Sequence, residues 1–215
     1  MFQKLREFPG FAVEYEPSDN PFFQLIIEEN LRKLQEVEVG RTLLADIQAA
    51  KPAYRANFPS NVNVICKPTR INFTQSGFSR VVLWKEGGEY DVEDMKPSNR
   101  DEYNRAGCPF WMAGGSSNSA ANLSSAANIS TSNQSSVCFM KFSNVQITTR
   151  QGEKADPYIV LAHELIHSLH SLQGTTKNGR EEEEWTTGIG KYENDLMTEN
   201  GFRQVFGLAK RKIYY

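Results

Sequence analysis

All three histidines of this 215-residue chain, His163, His167 and His170, fall in the single stretch His163-Glu164-Leu165-Ile166-His167-Ser168-Leu169-His170. Composition alone predicts about 0.004 chance occurrences of His-Glu-x-x-His in such a chain, so the motif is a signal of chemistry. On a helix, side chains four apart project from one face. The imidazoles of His163 and His167 can therefore hold one Zn²⁺ at about 2.0–2.1 Å. Glu164 lies about 100° further around the helix, where it serves as a general base without ligating the metal. Without a metal or a polar cavity, burying two imidazoles beside a carboxylate would cost several kcal/mol. His170 shares the face but stands about 10 Å along the axis from His163. It is too far to share the ion, and is expected behind the ligands or in the core.

A catalytic zinc has three protein ligands and a water. No histidine follows His170, so the third ligand is expected to be a carboxylate, and Glu181-Glu182-Glu183-Glu184 offers four. A run this close to the histidines can supply one ligand and one carboxylate that supports a ligand. Trp185-Thr186-Thr187-Gly188-Ile189-Gly190 follows at once. The chemistry implied is hydrolysis: zinc activates water and polarises a carbonyl while Glu164 moves the proton. A zinc-stabilised protein that binds a partner and cuts nothing is the rival reading. Structural zinc sites are closed by four ligands and are often rich in cysteine, whereas Cys66, Cys108 and Cys138 are remote in sequence from the histidines.

These residues must be positioned by a helix, and Asp156-Pro157 opens one with an N-cap residue and proline at the first helical position. Ile159, Val160, Leu161, Leu165, Ile166, Leu169 and Leu172 occupy nearly every side of it before Gly174, which predicts a helix buried in the middle of a domain. Upstream, Phe11 to Tyr15 reads as a strand. Phe23, Ile26, Ile27, Leu31 and Leu34 recur at helical spacing to about residue 38, and a second helical piece spans Gly40 to Ala50. Val62 to Cys66, Arg70 to Thr74, Arg80 to Trp84 and Val137 to Phe142 read as strands, with Asn144 to Thr149 as the antiparallel partner of the last. Residues 113–136, dominated by Gly, Ser, Asn and Ala, read as a long loop. The expected fold is α+β, with a central HExxH helix beside a small, mainly antiparallel sheet. It forms one domain over 1–215, comprising a helical cover (1–60), the sheet and Ser/Asn-rich loop (61–150) and the active-site helices (156–215).

With 24 basic and 26 acidic residues the net charge is −2, so no overall field draws the chain to nucleic acid or to an anionic membrane. No apolar run of about 18 residues suggests a span, and no secretory leader is evident. Three cysteines, odd in number and widely spaced, fit no disulfide framework.

The segment HELIHSLH, followed by Glu183-Glu184-Trp185-Thr186-Thr187-Gly188-Ile189-Gly190, resembles the zinc motif and downstream Glu-Glu-x-x-Thr-x-Gly-Gly stretch of clostridial neurotoxin light chains. The short gap between the motifs and the segment Thr198-Glu199-Asn200-Gly201-Phe202-Arg203 are more similar still to the compact bacterial effector proteases of the NleD type, a type III secreted family. The likeness covers residues 156–215. It departs from the toxin pattern at Ile189, which replaces the first of the paired glycines, and in lacking the toxin's long intervening segment. The resemblance implies a zincin-like, gluzincin-type metalloprotease, with Glu183 as third zinc ligand and Glu184 orienting a ligating histidine. A one-residue slip within the run would bring Glu182 or Glu184 to the metal instead. It also implies that Arg211 and Tyr214, in an Arg-x-x-Tyr pair, stabilise the transition state. The implied setting is a virulence protein secreted by a bacterium and acting as a monomer in the host cytoplasm. The implied substrate is a host protein, with mitogen-activated protein kinases cut by the NleD-type relatives.

Overall fold

The computed structural model describes residues 1–15, 17, 21–50, 62–68, 77–85, 88–91, 137–142, 144, 146–148, 152–177 and 180–213. In chain order the elements are β1 (Phe2–Lys4), β2 (Phe11–Glu14), α1 (Phe23–Gln35), α2 (Glu38–Ala49), β3 (Val64–Pro68), β4 (Gly77–Lys85), β5 (Gly88–Asp91), β6 (Val137–Phe142), β7 (Ile147–Thr148), β8 (Lys154–Ala155), α3 (Pro157–Gln173), α4 (Arg180–Thr187) and α5 (Glu199–Val205), with a 3₁₀ turn at Gly190–Tyr192. The expected strand at Arg70 to Thr74, the Ser/Asn-rich stretch 113–136 and Cys108 lie outside the described residues. Among the described residues no helix is long and apolar enough to cross a membrane.

Helix α3 is the axis of the structure, and its ends are the ones its sequence dictates. Asp156 is extended, Pro157 takes the first helical position, and Gly174 at φ 71° ends the helix in the left-handed region. The Thr175 N–H then returns to the His170 carbonyl at 2.9 Å and the Gly174 N–H to that of Ser171 at 3.3 Å. This pairing satisfies carbonyls that the helix end would leave bare. Every residue from Ile159 to Leu172 is buried. Helices α1 and α2 pack on one side of α3, strands β4 and β6 on another, and α4 and α5 beside them. Helix α1 contributes Phe23, Ile27, Leu31 and Leu34 to the core, and α2 contributes Leu43, Leu44 and Ile47, each set at the helical spacing of its stripe.

The six-stranded sheet has the order β1-β2-β3-β6-β4-β5. Its edge pairs are antiparallel, as in Gln3 opposite Val13, and so is the pairing of β4 with β6, with Ser79 opposite Met140, but the β2-β3-β6 centre is not. Strands β2 and β3 run parallel with Ala12 opposite Ile65, and β3 and β6 run parallel with Ile65 opposite Phe139. Three of the five pairings are antiparallel, so the sheet is mainly antiparallel as expected, with a parallel centre that the expectation did not include. Parallel neighbours need a crossover, and α1 and α2 supply it between β2 and β3. Central parallel strands are covered on both faces and read as continuous apolar runs, which is how Phe11-Ala12-Val13 and Val64-Ile65-Cys66 are buried. Within residues 1–60, Phe2–Lys4 and Phe11–Glu14 thus join the sheet, ahead of the two helices. A correction concerns Ile147–Thr148, which pairs with Lys154–Ala155 in a separate two-stranded sheet and not with β6. That small hairpin delivers the chain to Asp156 and the start of α3.

Candidate metal centre

His163 and His167, one turn apart on α3, turn their imidazoles toward each other with the Nε2 atoms 3.2 Å apart. Glu183, on α4, brings Oε2 to 3.2 Å from His167 Nε2 and 3.4 Å from His163 Nε2. Donors bonded at about 2.0–2.1 Å to a tetrahedral ion stand about 3.3–3.4 Å from one another. The three side chains form a triangle of that size, and their chemistry, two imidazoles and a carboxylate, suits zinc. Among the described residues the cluster contains these three donors, the number that a catalytic zinc takes from its protein.

Each histidine is held from behind by a buried carboxylate. His163 Nδ1 lies 3.0 Å from Glu199 Oε2 and His167 Nδ1 lies 3.0 Å from Glu182 Oε1. With Nδ1–H donating outward, the Nε2 lone pairs face the centre of the triangle, the tautomer that a metal requires. Glu182 is fully engaged: Oε1 also accepts from His170 Nδ1 at 2.7 Å and from Thr186 Oγ1 at 3.3 Å, and Oε2 accepts from the Lys177 N–H at 2.8 Å. His170 stacks on Trp185, ring centroids 3.7 Å apart, and Trp185 stacks in turn on Tyr192. His170 thus stands behind the His163–His167–Glu183 triangle, joined to His167 through Glu182.

Glu184 is not brought to a histidine. It accepts from Arg180 Nε at 2.6 Å on the outer face of α4. The carboxylate that orients His167 precedes the Glu183 position instead of following it, because on a helix only one neighbour of Glu183 shares the inward face. Thr186 and Thr187, four residues beyond Glu182 and Glu183, are buried with Glu182, while Glu183 is half-buried. The partner of His163, Glu199, carried no assigned role in the sequence reading. The signal for it was Thr198, whose Oγ1 caps α5 by accepting from the Gly201 N–H, followed at once by an acid with an arginine four residues on. Glu199 Oε1 accepts from that residue, Arg203 Nε, at 2.6 Å, and Oε2 accepts from Arg211 Nη1 at 2.9 Å. Arg203 is wholly buried.

The electrostatics follow from this packing. Burial works against a charged His163, but hydrogen bonds to Glu183 and Glu199 outweigh it and raise its pKa to about 9. His167 is likewise disfavoured by burial and is raised to about 10 by Glu182, Glu183 and the nearby charge of Glu164. For His170 burial wins over the bond to Glu182, and the pKa is lowered. Burial pushes Glu182 and Glu199 up, while their histidine partners, joined at Glu199 by Arg211 and Arg203, bring both down to about 2. Glu183 is lowered by the same competition between burial and its bonds to His163 and His167. The cluster is thus an anionic cradle that attracts protons, and a cation of higher charge competes for the same atoms.

Glu164 is buried on α3 one residue past His163, and its carbonyl accepts from Ser168 Oγ at 2.9 Å. Arg211 is brought to the cluster through Glu199. Tyr214 lies outside the described residues. Gly188, which ends α4 at φ 79°, is pressed against Thr198, and a Cβ there would stand 2.7 Å from the Thr198 Cβ. That close approach sets α5, and with it Glu199, against α3 and α4.

The family model for Peptidase M91, described as an effector protein, matches residues 12–195, a span that includes α3 and α4 and stops short of Glu199. No curated protein matches the chain. Among solved structures it is similar to the catalytic domain of Clostridium botulinum neurotoxin serotype F, at 18% identity and a TM-score of 0.44, covering 77% of this chain and 48% of that one. It is similar also to the botulinum neurotoxin serotype HA light chain, at 16% identity and a TM-score of 0.44, covering 75% of this chain and 37% of that one. The chain thus spans less than half the length of either.

Proposed function

The chain belongs to the Peptidase M91 family of effector proteins, and on that premise we propose that it is a zincin-like, zinc-dependent endopeptidase of gluzincin type that cuts a host protein. The observation that carries the reading is the triangle of His163 Nε2, His167 Nε2 and Glu183 Oε2, with edges of 3.2–3.4 Å and both Nδ1 atoms held by carboxylates. A zinc ion bound by these three residues would supply a Lewis acid that brings the pKa of water toward 7 and polarises the scissile carbonyl. Glu164 takes the proton of the attacking water and passes it to the leaving amine. Glu182 and Glu199 keep the imidazoles in one tautomer and one orientation. Arg211 and Tyr214 donate to the developing oxyanion. Membership in an effector family fits secretion by a bacterium and action in the host cytoplasm, and the reading takes the chain as a monomer. A mitogen-activated protein kinase, the class implied by the NleD-type resemblance, is the first purified substrate to try.

The test is zinc content by mass spectrometry for wild type and Glu164→Gln, alongside digestion of a host-cell lysate. The expected result is one zinc in both proteins and new fragments from wild type alone, with the loss of turnover reaching about 10²–10⁴-fold. Equal cutting by Glu164→Gln would remove the general base. Zinc in both and fragments from neither would favour a metal-stabilised binding protein, and no zinc in either would end the mechanism.

A further inference from the structure

We propose that Asn200 is a positioning residue, a clasp that seats the backbone of Arg211 against the metal centre; the catalytic consequence rests on the function proposed above. The Asn200 side chain is buried and its carboxamide is used completely. Oδ1 accepts from the Arg211 N–H at 2.7 Å, while Nδ2 donates to the Arg211 carbonyl at 2.9 Å and to the Gly188 carbonyl at 3.0 Å. One side chain thus pairs with both backbone groups of a single residue, as a neighbouring strand would, and its remaining hydrogen ties the turn that leaves α4. A carboxamide is the side-chain group that offers one acceptor and two donors in this plane. Aspartate would set an oxygen against two carbonyl oxygens, and leucine would leave all three backbone groups bare.

The pieces it joins are those the site depends on. Gly188 ends the helix that carries Glu182 and Glu183, Asn200 follows Glu199, and Arg211 reaches the same Glu199 Oε2 that holds His163 Nδ1. The approach to Arg211 is already fixed, since the Leu208 N–H bonds the Arg203 carbonyl at 2.7 Å and Arg203 Nη1 bonds the Ala209 carbonyl at 3.2 Å. Past that point the Asn200 clasp is what registers the chain, and with it the direction in which the Arg211 side chain leaves the backbone. Tyr214 lies three residues further on. An arginine on a long stem finds Glu199 or a substrate oxyanion only from a fixed Cα, and displacement of a catalytic group by about 1 Å can cost 10²-fold in rate.

The experiment uses the full chain with Asn200→Ala, Asn200→Asp, Arg211→Ala and the Asn200→Ala/Arg211→Ala double variant. Hydrogen exchange reads the Arg211 amide, mass spectrometry reads zinc, and kinetics use the purified protein that wild type cuts in host lysate. The expected result is one zinc throughout, loss of protection at the Arg211 amide in Asn200→Ala, and kcat lowered about 10- to 100-fold with KM little changed. In the Arg211→Ala background the Asn200 substitution should cost nothing further. A general weakening of the fold would instead lower activity by the same factor in both backgrounds, which would overturn the proposal, as would an Arg211 amide that stays protected in Asn200→Ala. Asn200→Asp keeps the acceptor for the Arg211 N–H, so protection with reduced kcat there supports the clasp should Asn200→Ala fail to fold. If wild type cuts nothing, the protease reading falls and the effect on turnover falls with it. The exchange arm alone then upholds or overturns the clasp.

Discussion

Replacing Glu182 with glutamine asks whether the carboxylate behind His167 governs the metal. Glu182 receives His167 Nδ1 and His170 Nδ1 on one oxygen and the Lys177 N–H on the other, at 3.0, 2.7 and 2.8 Å. Glutamine keeps the shape but has a single acceptor oxygen, so whichever way the amide turns its NH₂ meets a donor. A buried donor left without an acceptor costs about 1–3 kcal/mol. A carboxylate held at about 2 against its ordinary 4.5 corresponds to roughly 3 kcal/mol favouring the ionised form, a ceiling for what neutralisation removes from the metal-free chain. Outer carboxylates of this kind are worth about 10- to 100-fold in metal affinity, so the zinc Kd of Glu182→Gln should rise by that factor in a competition titration against a chromophoric chelator. Glu184→Gln is the matched control. Its ion pair with Arg180 is partly exposed, at 31% and 68% for the two side chains, and pairs of that type contribute about 0–1 kcal/mol, so zinc affinity should not move. A loss of affinity in Glu184→Gln with none in Glu182→Gln would refute the geometric argument and restore the order implied by the neurotoxin resemblance.

Glu183→Ala should abolish stoichiometric zinc, and a full zinc content in that variant would move the third ligand to another residue. Stripped of metal, the chain should be most stable between about pH 4.5 and 6.5. The shares of Glu182 and Glu199, depressed to about 2 in the fold, are present above 4.5 and lost as pH falls toward 2, whereas those of His163 and His167, raised to about 9 and 10, are present below 6.5 and lost as pH rises through those values. Thermal melts in excess chelator check this, and a melting temperature that climbs above pH 6.5 would contradict it. Gly188→Ala forces an L-residue into a left-handed backbone at about 1–2 kcal/mol and drives a Cβ into Thr198. The melting temperature should fall by about 2–4 °C per kcal/mol, and an unchanged value would show that α4 and α5 can separate freely.

The histidine-bearing helix was legible because every local signal agreed: N-cap, proline, apolar residues on all sides and a closing glycine mark Asp156 to Gly174 without reference to the rest of the chain. The stripes of α1 and α2 were legible for the same reason. The sheet order was not, since β3 lies between β2 and β6 through contacts that no local period encodes, and the trace of its parallel centre was that Phe11-Ala12-Val13 and Val64-Ile65-Cys66 run apolar without alternating. The glutamate run shows the other kind of limit. Four identical residues carry no phase of their own, so the identity of the ligand and of its supporting carboxylate depends on how the helix is rotated. The phase is written four residues later, where Thr186 and Thr187 are the small, half-polar side chains that can be buried beneath Glu182 and Glu183, while Glu181 and Glu184 bond to Lys191 and Arg180 at the surface. Rotating α4 by one residue to bring Glu184 inward would carry Trp185 with it and lose the stack on His170. The aromatic ladder and the threonine pair therefore select Glu183 for the triangle with His163 and His167, and Glu182 for His167 Nδ1, which is why the run can be uniform and the arrangement still unique.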